Sequence, residues 1–309
     1  MQQEKIGGVI LNLNDYPGQD LYSDGAIEDV LLDIAMHTDP ADYDKVIAQK
    51  KDWAILYHFS KIRTNILSWM PMTGNEKVLE IGSGCGAITG ILSEMAGSVT
   101  CVELSKKRSL VNAYRNKDKE NIEIRLGNFQ DVEKGLERDY DMITLIGVLE
   151  YANNYIDSPE PYVDFLKQIR KHLKKGGKLV IAIENRLGMK YFAGATEDHS
   201  GRYFEGIEGY GENSRAKTFA RPELENILMR AGLTRGEWYY PFPDYKLPMT
   251  IYSDEYLPKS GDLKNFINNF DRERMILFDE GKAMETMADG GMFPIFSNSY
   301  LVIAEGETT

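Results

Sequence analysis

The chain has 309 residues, a formal net charge of −12 and a pI near 5.0. That acidity argues against a nucleic-acid substrate, which would call for a basic stripe; the basic runs at 106–108 and 171–175 read as solvated helix faces or helix ends. Two cysteines exclude a disulfide framework, no secretory signal opens the chain and no apolar run approaches a membrane span, so a cytoplasmic protein is expected.

In chain order, Ile27, Val30, Leu31 and Ile34 recur at helical spacing. A second helix is expected over 52–70, stopped by Pro71, with Tyr57, Ser60 and Arg63 on one side of it. Residues 78–81 form a short apolar run that suits a buried parallel strand. Gly82, Gly84 and Gly86 then allow a tight turn free of Cβ atoms, and 87–95 reads as a helix. Strand, glycine turn and helix build a backbone cradle for a nucleotide-like cofactor. A second strand over 98–103 ends in Glu103. A third over 122–126 runs into Gly127-Asn128-Phe129-Gln130-Asp131, and a fourth over 141–146 into Gly147-Val148-Leu149-Glu150-Tyr151. A helix over 162–174, a Lys-Lys-Gly-Gly turn and a fifth strand over 178–184 follow.

Residues 185–220 come after the carboxyl end of that strand, where open α/β sheets place their ligands. They are long for a structureless loop and rich in glycine, aromatic and ionisable groups, which points to a functional loop. A helix over 221–231, a sixth strand over 234–240, a second insertion over 241–296 with a helix at 275–287, and a last strand over 296–305 complete the chain.

Two cofactors compete for the cradle. Gly82, Gly84 and Ala87 fit the loose dinucleotide pattern, whereas Glu80 with Gly82, Gly84 and Gly86 fits E-x-G-x-G-x-G. A carboxylate beside the turn repels a pyrophosphate and welcomes a ligand with an ammonium and a sulfonium. This second pattern resembles motif I of the class I S-adenosylmethionine (SAM) methyltransferases, and the order of segments over roughly 75–184 resembles their core. The resemblance implies an α/β fold with a Rossmann-like, seven-stranded, mostly parallel sheet. It puts helices on both faces and makes the last strand antiparallel, between strands five and six. Residues 1–74 would be a helical extension covering the site and 75–309 the catalytic domain, with the insertions at 185–220 and 241–296 as a cap.

The same resemblance implies the cofactor contacts. Arg63 would pair with the SAM carboxylate, with Tyr57 and Ser60 bonding nearby. Gly82, Gly84, Cys85 and Gly86 would cradle the ligand with Glu80 behind them, and Glu103 would accept the ribose hydroxyls, with Leu104 beside it. Asn128 and Phe129 would hold adenine, and Ile146, Gly147 and Glu150 complete the set.

Beyond the core, Tyr57-His58-Phe59-Ser60, Glu184-Asn185-Arg186-Leu187-Gly188, Glu197-Asp198-His199, Gly206-Ile207-Glu208-Gly209-Tyr210 and Ser297-Asn298-Ser299 resemble a bacterial methyltransferase group associated with cell-surface polysaccharide synthesis. By association this implies O-methylation of a sugar, nucleotide-sugar or glycan end and a glycosyltransferase partner. Another small metabolite as acceptor, and a non-catalytic SAM-binding module, stay open.

A hydroxyl acceptor must lose a proton. His199 is the expected base, with neighbouring Glu197 or Asp198 to orient it and Asp198, Glu205 and Glu208 near acceptor hydroxyls. His37 and His172 read as surface residues. No metal is expected: Glu184-Asn185 sits where catechol-type methyltransferases place ligands, but strand four ends at Gly147, and Glu150 reaches such a place only from the next turn.

Overall fold

A computed structural model of the full chain describes residues 2–20, 22–211, 214–263 and 274–306. The chain forms two compact units, residues 1–145 with 172–177, and residues 146–171 with 178–309. The described strands number ten, where seven were expected.

In the first unit the strands run β1 (Gln3–Ile6), β2 (Val9–Asp15), β3 (Lys77–Ile81), β4 (Ser98–Glu103), β5 (Ile122–Gly127) and β6 (Tyr140–Ile146) along the chain. Their order in the sheet is β1-β2-β5-β4-β3-β6, parallel from β2 to β6, with β1 antiparallel at the edge. The direction of strand succession reverses at β3. Parallel sheets open a ligand crevice at such a point, beyond the strands' carboxyl ends. The hairpin β1–β2 corrects the expectation of a purely helical N-terminal segment. Val9, Leu11 and Leu13 alternate inward on β2 and are buried, while β1 has Ile6 as its single apolar residue and does not signal a strand on its own.

The helices of this unit are α1 (Ile27–His37), α2 (Tyr43–Lys50), α3 (Trp53–Phe59), α4 (Thr89–Met95), α5 (Lys106–Arg115) and the single turn α6 (Phe129–Val132). Leu31, Ile34 and Ala35 of α1 bury against Tyr43, Ile55, Phe59 and Val111, so α1 to α3 share a core with α5. The helix expected over 52–70 is broken. It ends at Phe59, Ser60 is extended (φ −64°, ψ 131°), and a 3-10 turn follows over Lys61–Ile66. The Ser60 hydroxyl accepts from the Ile62 amide at 3.2 Å. Serine offers the backbone such a local partner in competition with the helix.

The second unit holds β7 (Leu173–Glu184), whose first residues lie in the first unit, then β8 (Leu233–Phe242), β9 (Thr250–Ser253) and β10 (Ser299–Gly306). The expected Lys-Lys-Gly-Gly turn is part of β7. β10 runs antiparallel between β7 and β8, and β9 adds an antiparallel edge to β8. Its helices are α7 (Pro161–Arg170), α8 (Met189–Phe192), α9 (Glu205–Glu208), α10 (Arg221–Arg230), α11 (Glu280–Asp289) and α12 (Phe293–Phe296). The helix expected over 275–287 therefore starts later, at an Asp279 cap whose carboxylate accepts from the Lys282 amide at 3.1 Å. Residues 264–273 of the second insertion lie outside the described residues. Among the described residues no helix is long and apolar enough to cross a membrane.

Candidate functional site

The turn after β3 has the backbone its glycines anticipate. Gly82, Gly84 and Gly86 all take left-handed φ angles, of 72°, 52° and 73°. Gly84 and Gly86 do different work. A carbon added at Gly84 meets only Arg108 Nη1, at 4.0 Å, so that face of the main chain is open to a ligand. One added at Gly86 would fall 2.2 Å from Asn112 Oδ1, so Gly86 lets the turn pack on α5. The open backbone face over Gly84 is what a cofactor lying against the main chain requires. Glu103 pins the turn in place: Oε2 accepts from the Gly84 amide at 2.7 Å, and Oε1 from the Leu104 and Ser105 amides at 2.9 Å each.

Glu80 does not face the open side. Its Oε2 accepts from the Thr89 hydroxyl at 2.6 Å and lies 3.4 Å from Cys101 Sγ, so it braces the turn from beneath. Complete burial pushes its carboxyl up to about 7, against the hydrogen bonds from Thr89 and Cys101. Asn128 caps α6 by accepting from the Gln130 amide at 3.3 Å, and Phe129 beside it is buried.

Tyr57, Ser60 and Arg63 do not share a helix face, because the helix ends between them. The Arg63 guanidinium nevertheless lies 4.2 Å over the Tyr57 ring and is buried. Arg115, which the sequence did not single out, links these parts: its Nη1 donates to the His58 carbonyl at 2.6 Å and the Cys85 carbonyl at 3.1 Å. Arg108 is no solvated cation either; its Nε donates to buried Glu28 at 3.0 Å and its guanidinium covers Tyr22. Both arginines stand on α5, where their partners come from distant segments and leave no local signal.

Ile146, Gly147 and Glu150 belong to the second unit. Gly147 is left-handed (φ 70°), and a carbon added there would sit 2.8 Å from Tyr245 Oη. The chain then enters a 3-10 turn, Leu149–Asn154, which turns Glu150 and Tyr151 toward the end of β7. Glu150, Glu184 and His199 each offer a ligand-type atom there, all within 4.8 Å of one another. Glu150 Oε2, Glu184 Oε2 and His199 Nε2 are buried and have no hydrogen-bond partner. His199 Nε2 lies 3.6 Å from Glu184 Oε2, and its Nδ1 is 2.9 Å from Tyr151 Oη. Glu197 folds the loop that brings His199 in, its Oε2 accepting from the His199 and Ser200 amides at 2.9 and 2.7 Å.

Asp198 does not orient His199. Its carboxylate accepts from Tyr191 Oη at 2.5 Å and pairs with Lys190 at 2.9 Å and Lys246 at 2.6 Å. Lys246 also reaches Glu184 Oε1 at 2.6 Å, and Lys190 reaches Asp244 at 2.8 Å. Asn185 is spent on structure, donating to the Ile295 and Ser297 carbonyls at 2.8 and 2.7 Å. Asn298 and Ser299 hold the segment that carries Lys246 through the Pro243 carbonyl and the Tyr245 amide, at 3.1 and 2.8 Å. The Ser-Asn-Ser pattern thus has a use that its sequence did not disclose.

Burial and the neighbouring Glu184 push the Glu150 carboxyl up to about 8. Burial alone would raise Glu184, but Lys246 and His199 hold it well below the usual range. Burial opposes charge on His199, yet the Glu184 carboxylate wins and raises it to about 9. Of the other expected residues, Glu205 accepts from Ser214 at 3.2 Å and Glu208 is exposed. His172 is buried rather than on the surface, its Nδ1 2.6 Å from the Glu137 carbonyl and its Nε2 3.0 Å from Glu133.

Residues 79–179 match the family model described as a methyltransferase domain. Over 189 residues the chain is 30% identical to a protein-L-isoaspartate O-methyltransferase of Dictyoglomus turgidum, an alignment covering 58% of this chain and 71% of that protein. The chain belongs to the class I SAM-dependent methyltransferases. A second such relative, from Dictyoglomus thermophilum, is 35% identical to the methyltransferase over 147 residues, covering 45% of this chain and 57% of that protein, so the match spans little over half of the relative's length. Among solved structures, a Haemonchus contortus phosphoethanolamine N-methyltransferase in complex with phosphoethanolamine and S-adenosylhomocysteine superposes with a TM-score of 0.50 at 16% identity. That superposition covers 91% of this chain and 50% of that one, a likeness of fold. SAM is the cofactor of the methyltransferase.

Proposed function

We propose that the methyltransferase transfers the SAM methyl group to an oxygen of a small polar acceptor, a sugar, nucleotide-sugar or surface-glycan end. SAM supplies an electrophilic methyl on sulfur; the protein aligns the acceptor and excludes water. The observation that carries the reading is the trio Glu150, Glu184 and His199, whose buried Oε2, Oε2 and Nε2 atoms make no hydrogen bond and have only the 3.6 Å approach of His199 to Glu184 among them. Leaving such atoms unmet costs free energy, and a bound hydroxyl would meet them. The reading keeps His199 among the groups that meet the acceptor oxygen and releases Asp198, whose carboxylate is committed to Lys190, Lys246 and Tyr191.

Two further points support oxygen and glycan. The curated relatives are named O-methyltransferases. The segments around 184–210 and 297–299 resemble the methyltransferases of surface-polysaccharide synthesis, from which a cytoplasmic location and a glycosyltransferase partner follow as parts of the proposal. On the donor side the proposal assigns Tyr57, Ser60, Arg63, the turn 82–86, Glu103, Leu104, Asn128 and Phe129, all of the first unit, to SAM.

The test is transfer of labelled methyl from SAM to a panel of nucleotide sugars, glycan ends, small amines and an isoaspartyl peptide. Turnover on a sugar hydroxyl supports the proposal. Turnover confined to amines or to the peptide carboxylate overturns it.

A further inference from the structure

We propose that Glu150, Glu184 and His199 form a binding site for a divalent first-row metal cation. The inference rests on the reading of this cluster as the acceptor site and adds what occupies it first. Each residue offers one ligand-type atom, all within 4.8 Å of one another; Glu150 Oε2, Glu184 Oε2 and His199 Nε2 are buried without a hydrogen bond, the last two 3.6 Å apart. Glu150 and Glu184 are 1% and 0% exposed, so these are buried groups aimed at one point, unlike a solvated acidic patch.

Ligand atoms around a bound cation stand about 2.0–2.2 Å from it, hence about 3.0–3.5 Å from each other. Reaching that spacing from within 4.8 Å asks the side chains to close by up to about 1–2 Å. One imidazole and two carboxylates on one side, with the remaining positions open, suit manganese, iron, cobalt or zinc. His199 is already turned for the task. Tyr151 Oη lies 2.9 Å from Nδ1, which leaves Nε2 pointing at the carboxylates, the outer contact that ligating histidines require.

Charge balance points the same way. The cluster holds the buried carboxylates of Glu150 and Glu184, the half-buried ones of Asp198 and Asp244, buried Lys190 and half-buried Lys246. Glu197, also buried, adds another negative charge and is held by two amides and Tyr210. With the five carboxylates ionised and His199 neutral, as a ligand must be, negative charge exceeds the two ammonium groups by three. A divalent cation cancels two, which buried carboxylates demand. With the cation bound, His199 is a ligand, and the expectation of His199 as a general base gives way.

The experiment titrates the full-length, chelator-treated and desalted protein with manganese chloride and with zinc chloride by calorimetry. Glu150→Gln, His199→Ala and His199→Asn are run beside the exposed control His37→Ala. One-to-one saturable binding is expected for wild type and His37→Ala, weakened more than about 100-fold in the His199 variants and clearly in Glu150→Gln. The nitrogen coupling in the paramagnetic resonance of bound manganese should vanish with His199. SAM binding and thermal melting check that each variant is folded. No saturable binding up to about 1 mM of either ion, or binding indifferent to Glu150 and His199, overturns the site and shows that two protons supply the balance instead. Chelator-resistant turnover on a sugar would sink the cation while leaving the acceptor reading intact. Tight metal binding with turnover only on amines would do the reverse.

Discussion

Glu80→Gln isolates the energetic consequence of placing a carboxyl under the glycine turn. The Glu80 carboxyl is fully buried, and desolvation raises it from 4.5 to about 7 although Thr89 and Cys101 hydrogen-bond to it. The folded protein therefore holds this proton over a pH range in which the unfolded chain has released it. Stability falls with pH wherever the native state binds more protons. The penalty is absent below about pH 4.5, grows up to about pH 7 and is constant above. A shift of about 2.5 units corresponds to about 3 kcal/mol at 1.36 kcal/mol per unit. Glutamine keeps the shape and an acceptor for Thr89 but has no proton to lose. Glu80→Gln should therefore gain about 3 kcal/mol on wild type between pH 4.5 and 8, read from urea unfolding at closely spaced pH values. Using the difference cancels every other titrating group. A gap that stays flat across this range would refute the reasoning and mean that the carboxylate is solvated or paired in the fold.

Three further outcomes are expected. Gly86→Ala should abolish SAM binding by calorimetry and cost more than about 2 kcal/mol, because the methyl meets Asn112 as well as an unfavourable φ; Gly84→Ala meets only the φ and should cost about 1 kcal/mol. Lys190→Met should lower stability by about 3 kcal/mol, since it takes the buried ammonium from Asp244 and leaves Asp198 only Lys246; a thermal melt unchanged from wild type would mean the carboxylates are solvated. Tyr151→Phe should weaken manganese binding by about 10–100-fold through loss of the Nδ1 partner, and equal affinity would remove Tyr151 from the site.

The donor cradle was legible in the sequence because it is local. β3, the glycine turn and the helix after it are contiguous, and only glycine tolerates the three left-handed angles in a row of alternate residues. The alternation of strands and helices through 184 fixed the α/β class for the same reason. Non-local pairing decided the rest. β1 is too polar to announce itself and exists only by pairing with β2, which in turn pairs with β5. The helix expected over 52–70 carries a suitable pattern, yet Ser60 ends it with a two-residue hydrogen bond that no periodicity reports.

The sequence singled out His199 by its chemistry, and of the two neighbours expected to orient it Glu197 holds its loop while Asp198 does not. Asp198 is adjacent in sequence and turns to the lysines, while Glu184 and Glu150 reach His199 from strand and turn ends far along the chain. Lys190 and Lys246 gave no signal at all, because a buried ammonium group looks like any surface lysine until its carboxylates are placed. The sequence by itself determined the fold class and the methyl donor, through features that lie within a few residues of one another. Only the tertiary structure brought Glu150, Glu184 and His199 together, because desolvation and charge pairing act through space between segments that the sequence keeps apart.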